Sequence, residues 1–143
     1  MERREGGQAS LEYMVMLALS LAIFSAILYV TSSLISTSSA QVGVDSAYRA
    51  VEKLRDSSDF IYVHGHPSKT QVNVYIPPNV EEVSILNNNT FKMRIGIGAS
   101  YTDIYSVAKG RVYGDLSDII REGYYVFKVE SSSDTEINVS QIS

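Results

Sequence analysis

Between Glu12 and Asp45 the chain carries no charged side chain at all. Such a stretch excludes an ordinary surface position, because an element at a water interface needs a polar face. Its central part, Met14 to Ile35, is 22 residues dominated by Leu, Ala, Ile, Val and Met. At ~1.5 Å rise per residue, a helix of that length covers roughly the 30 Å hydrocarbon core of a bilayer. Arg3 and Arg4 precede it, and no Lys or Arg follows until Arg49. The positive-inside rule therefore holds the N-terminus in the cytoplasm and sends the rest of the chain outside. Apolar residues occur on all sides of this predicted helix, so its neighbours are lipid tails or other helices. Ala18, Ser20, Ala22, Ser25 and Ala26 are small enough to let helices approach closely. The same surface thus suits a membrane and a helix bundle.

Three fates are open to a segment of this kind. A secretory signal is cut behind its apolar region, and Ser38-Ser39-Ala40 offers the small residues such a cut needs, although this apolar run exceeds the usual ~7–15 residues. A plain membrane anchor for an extracellular binding domain fits the length and orientation, and a Glu at a bilayer edge costs it little. That reading gives Glu12, two positions before the run, nothing to do.

The third fate comes from the residues just ahead of the run. Gly6-Gly7-Gln8-Ala9-Ser10-Leu11-Glu12-Tyr13 resembles the class III signal peptide of archaeal type IV pilins, in which a Gln-x-Ser-x-Glu-Tyr pattern leads directly into the apolar helix. The likeness is specific over about thirty residues, a short motif by the usual standard. It implies that a prepilin peptidase cuts between Gly7 and Gln8 on the cytoplasmic side, and that the helix stays in the mature protein. Residues 1–7 are then a leader, and Gln8, Ser10, Glu12 and Tyr13 form the processing and assembly motif. The partners implied are the membrane before assembly, the peptidase, and other copies of the chain in an extracellular filament serving adhesion. A minor pilin or pseudopilin would use the same route. An archaellin fits less well, because Gln8, Ser10 and Glu12 stand where a more uniformly apolar start belongs.

After that cut Glu12 is the fifth residue, in the first helical turn, where the helix dipole favours an anion by about 0.3–1 kcal/mol. The resemblance adds a second role, pairing with the freed N-terminus of a neighbouring subunit as helices come into register. An unpaired carboxylate in an apolar bundle would be strongly unfavourable. A new N-terminal Gln also cyclises to pyroglutamate with loss of ammonia. In that form Gln8 has no amine charge, and Glu12 is left with amide and helix-terminus donors.

Pro67, Pro77 and Pro78 are the three prolines, so no proline kink interrupts the chain before them. An unbroken helix is expected over 8–57, roughly 70 Å long, apolar over 11–35 and amphipathic over 42–56. Gly43 and the Ser/Thr cluster from Thr31 to Ser39 are the places for a bend. In the amphipathic half Val44, Ala47, Val51 and Leu54 form one stripe between charged residues. Beyond Phe60 the period changes to two. Phe91, Met93, Ile95 and Ile97 alternate with Thr90, Lys92, Arg94 and Gly96, and Val72, Val74 and Ile76 with Gln71, Asn73 and Tyr75. A shorter run begins at Val83 and Ile85, and Asn87-Asn88-Asn89 supplies a hairpin turn. Further strands are expected near Tyr101–Val107, Tyr124–Val129 and Glu136–Val139, with a turn or one helical turn over Asp115–Glu122 ended by Gly123. The expected architecture is α+β: a long N-terminal hydrophobic helix packed against a C-terminal antiparallel β-sheet or small β-sandwich of roughly six to eight strands, the outer domain being 58–143. Tyr75, Tyr101, Tyr105, Tyr113 and Tyr124 are expected to pack half-buried on these strands.

The remaining composition argues mostly by exclusion. A net charge of -4 over 143 residues lacks the basic excess that nucleic-acid binding needs. With no cysteine, thiolate chemistry and disulfide staples are out. His64-Gly65-His66-Pro67 puts both histidines in one turn, yet two ligands do not make a metal site. Asp103, Asp115 and Asp118 lack the spacing of a calcium loop. No phosphate loop, zinc-protease helix or nucleophile elbow occurs. No catalytic residue, metal or cofactor is therefore expected. Asn88-Asn89-Thr90 and Asn138-Val139-Ser140 match the N-glycosylation acceptor pattern, with Asn88, at a hairpin tip, the better placed.

Overall fold

The computed structural model describes residues 3–142. Their elements run α1 (Arg3–His64), β1 (Lys69–Ile76), β2 (Val80–Leu86), β3 (Thr90–Ile97), β4 (Ser100–Val107), β5 (Arg111–Tyr113), β6 (Gly123–Ser131) and β7 (Glu136–Gln141). The chain divides into two compact units, 1–39 and 40–143. The described residues of the first are helix alone. The second holds the rest of α1 and all seven strands, and it is α+β as expected.

α1 starts earlier and ends later than the sequence pattern suggests. It begins at Arg3 instead of Gln8, so the Gly7–Gln8 peptide lies within the helix in the uncut chain. It ends at His64 instead of residue 57, because the buried stripe does not stop at Leu54. Ala47, Ala50, Val51, Leu54, Ser58 and Ile61 are all buried at helical spacing. The Ser58 hydroxyl enters that core only because it donates to Leu54 O at 2.9 Å. Phe60-Ile61-Tyr62-Val63 has strand-type composition, yet burial of Ile61 outweighs the local preference. Gly65 then stops the helix with φ 71, its N–H donating to Ile61 O at 3.1 Å, an αL cap that a side chain would oppose.

Two sheets close over this half of α1. One has the order β1-β6-β7-β5, the other β2-β3-β4. All pairings are antiparallel except β5 with β7, which is parallel. The expected alternation holds in β1, where Val72, Val74 and Ile76 are buried; in β3 Phe91, Met93 and Ile95 are buried as expected, but Lys92, expected on the wet face, is buried too and Ile97 is only partly so. These buried apolar side chains join Phe127, Val129, Ile137 and Val139 and the α1 stripe in one hydrophobic cluster. Gly43 lies against Ile95, where an added Cβ would stand 3.4 Å from Cδ1. A small residue there permits close helix-to-sheet approach.

The β2–β3 turn is the predicted hairpin. Asn87 and Asn88 take φ 52 and 57, and Asn89 N–H donates to Leu86 O at 3.2 Å. Asn tolerates these values better than other side-chain-bearing residues. The tip is tied down, since Asn88 O and Asn89 O accept from Val112 N–H and Ala108 N–H. The segment expected as a turn or one helical turn, Asp115–Glu122, is irregular and also plugs the core: Leu116 and Ile119 are buried.

Candidate functional site

Gly7, Gln8, Ser10, Glu12 and Tyr13 all lie on α1 and all are exposed. Gln8 and Glu12 are four residues apart, so they share a helix face, as do Ser10 and Tyr13 at three. Behind them the apolar surface is bare. Leu11, Met14, Leu17, Leu21, Phe24 and Leu28 are each about half exposed or more, and none of the large apolar residues from Leu11 to Ile35 is buried. Helix α1 contains the one helix among the described residues long and apolar enough to cross a membrane. A helix left this apolar in water has no stable place, so its surroundings must be lipid or protein.

The hydroxyls in this unit do not disturb it. Ser20, Ser25 and Thr37 donate to Met16 O, Leu21 O and Ser33 O at 2.8, 2.8 and 3.1 Å, each one turn back. Polar side chains that satisfy themselves in this way present mainly methylene and methyl surface to a neighbour. The helix is continuous through Gly43 and through Thr31 to Ser39. Gly6 and Gly7 are its least helix-prone pair, each about 1 kcal/mol worse than Ala. The expected scissile peptide therefore sits where unwinding for a peptidase costs least.

The other sequence candidates fall apart from one another. His64 Nδ1 donates to Phe60 O at 2.8 Å while its ring packs on Phe60 at 4.0 Å. His66 Nδ1 donates to Ser131 O at 3.2 Å. Asp115 Oδ1 accepts from Ser117 N–H and Oγ at 3.0 and 2.6 Å, an Asx turn. Asp103 is held by Arg94 through two bonds of 2.6 and 2.9 Å. Asp118 is exposed. Among the described residues no three metal-ligating side chains converge.

The Arg94–Asp103 pair is part of a ladder that the sequence did not announce. Lys92 Nζ donates to Glu82 Oε2 at 3.0 Å, and Arg94 lies 4.2 Å over the Tyr101 ring. β2, β3 and β4 are thus stitched by charges: Glu82, Arg94 and Asp103 sit opposite one another in register, and Lys92, whose own partner is Ser84, reaches Glu82 diagonally. The Arg94 guanidinium holds the Asp103 carboxyl below the usual carboxylate range, and Lys92 does the same for Glu82. Tyr101, Tyr105 and Tyr124 are more exposed than half-buried strand packing implies. For Tyr101 the reason is its place beside Arg94.

The two glycosylation motifs differ in access. Asn88 is exposed at the hairpin tip, its backbone fixed and its side chain outward. Asn138 lies within β7 between β6 and β5, half-buried and opposite Glu130 in the ladder. If the organism modifies this protein, glycopeptide mass spectrometry of native material is expected to find the glycan on Asn88 and a bare Asn138. A glycan on Asn138 alone would contradict this order of access.

No family model, curated protein or solved structure matches the chain.

Proposed function

We propose that this chain is a structural subunit of an archaeal type IV pilus-like surface filament. It enters the membrane as a prepilin, loses its leader between Gly7 and Gln8, and assembles through its N-terminal helices. The observation that carries this reading is the pairing of two features on one element. The Gln8–Tyr13 motif lies on α1 immediately ahead of a stretch whose whole apolar circumference is exposed. An anchor needs only length; a subunit that leaves lipid for a bundle also needs small residues for packing and a means of setting register. Ala18, Ser20, Ala22, Ser25 and Ala26 supply the first, and Glu12 the second.

Because the chain has no cysteine, cross-linking tests this directly. Leu17 and Leu19 project about 200° apart on a helix of 3.6 residues per turn. A chain carrying both Leu17→Cys and Leu19→Cys is expected to give a ladder of covalent multimers in the sheared surface fraction. A plain anchor would give monomers and random dimers confined to the membrane fraction.

One observation favours a second reading. The boundary between the two compact units, Ser39 to Ala40, lies one residue before the site where a secretory cut would fall, after Ala40. A domain released there would keep every buried residue of α1, from Ala47 onward. The start of the mature chain separates this from the filament, and from a membrane-anchored binding domain.

A further inference from the structure

Beside the β1 edge of the first sheet, α1 leaves a groove of about 250 Å³, the space of a single sugar ring or a little more. Ala50 and Val74 lie along it, Arg49 and Lys53 contribute from one turn of α1, and Tyr75 and Tyr124 from the paired strands β1 and β6. The two tyrosine rings stand 5.0 Å apart and tilted. Tyr124 is 74% exposed, the largest exposure of any large apolar or aromatic residue in the 40–143 unit. A ring so open contributes little to the core, so packing does not account for it.

The cations are the second feature. Among the described residues Arg49 makes no ion pair. Glu52 lies instead near Arg55, at 3.9 Å. Asp45, one turn before Arg49, forms no bridge to it either. Lys53 gives one donor to Asn73 O at 2.7 Å, which blunts the free edge of β1, and retains two. Tyr75 is fixed by donating to Glu122 Oε1 at 2.8 Å, and that carboxylate raises the pKa of the phenol.

We propose that this groove binds an acidic sugar, a pyranose carrying a carboxylate, as found along extracellular acidic polysaccharides. The Tyr124 face takes the apolar face of the ring, and Arg49 takes the carboxylate, for which its planar fork is suited. Lys53 adds a second positive charge, and the apolar strip between Ala50 and Val74 excludes water from the contact. This site goes beyond the filament reading and does not need it, since it lies wholly within the 40–143 unit.

The full-length chain in detergent, titrated with a trigalacturonate and followed by calorimetry, tests it. Saturable binding weakened by salt is expected, with the neutral trigalactose at least about tenfold weaker. Arg49→Gln is expected to lower affinity by about tenfold, Arg49→Lys to restore part of it, and Tyr124→Ala to lower it by about fivefold. Both residues are exposed, so these variants keep the fold. Equal binding of the neutral sugar, indifference to Arg49→Gln, or inorganic sulfate binding as tightly as the uronate would overturn the proposal. The sulfate result would reduce the groove to a general anion site.

Discussion

Glu12→Ala is expected to cut the number of surface filaments by about tenfold or more, a difference of ~1.4 kcal/mol or greater, while the chain still reaches the membrane and loses its leader. Glu12 is the last charge before Asp45, so in a bundle it is taken out of water among apolar helices. The desolvation cost of such a carboxylate is several kcal/mol. By burial alone Ala would be the better residue, and assembly should improve. Loss of filaments would therefore report register, since a carboxylate that must find a partner permits few alignments of neighbouring helices. Filament counts by electron microscopy and the subunit content of the sheared fraction provide the measure. Abundant filaments of normal form would remove Glu12 from assembly.

Glu12→Gln adds a second level. A freed Gln8 amine pairs with a carboxylate and poorly with an amide, so Gln at position 12 should fail nearly as badly as Ala. If Gln8 has cyclised, the partner is a neutral donor, and Gln at position 12 should retain much of the assembly. The subunit's own amine must also be weighed, because Gln8 lies only ~6 Å along the axis from Glu12.

The second large effect is expected at Gly114. It follows the short strand β5, which lies parallel to β7 with Tyr113 opposite Asn138. Its φ is 155, and a Cβ built there would run into the Val139 carbonyl oxygen, with the carbonyl carbon at 3.1 Å. The obstacle is backbone, not the far end of a side chain, so it has nowhere to move without breaking the β5–β7 pairing. Gly114→Ala should cost about 2–5 kcal/mol, the sum of a disfavoured backbone and overpacking. Gly98 supplies the comparison, with φ 62 and open space around its Cβ position; Gly98→Ala should cost about 1–2 kcal/mol from the backbone alone. Chemical denaturation of the 143-residue chain in detergent reads both. Equal losses at the two positions would mean that contact with Val139 does not constrain Gly114.

The parts of this fold visible from sequence are those set by local periodicity. The apolar helix, the Val44–Leu54 stripe, the alternating strands β1 and β3 and the Asn87–Asn89 hairpin each involve residues whose spacing declares the element. What the pattern missed depends on distant partners. β5 is three residues with one buried side chain, Val112, and exists because β7 lies alongside it. Phe60–Val63 reads as strand until Ile61 is seen to fill the core from a helix. The Glu82–Lys92–Arg94–Asp103 ladder requires the register of three strands, which no single segment encodes.

The same division holds for the sites. The Gln8–Tyr13 motif is contiguous, so it was legible without any structure, and the structure adds only that its residues share one exposed helix. The groove at Arg49 and Tyr124 draws on segments about 75 residues apart, brought together by the β1–β6 pairing that long loop closure makes hard to foresee. Its one sequence signal was a surplus of tyrosine in the strands, and that surplus has an ordinary explanation in strand packing.

The central claim concerns where the mature chain begins. N-terminal mass analysis of the protein recovered from the cell surface should find residue 8 first, as glutamine or as pyroglutamate in its place. A chain starting near Met1 would make α1 a plain anchor. One starting at Gln41 would make the outer domain a secreted protein, and either result would contradict assembly through the N-terminal helix.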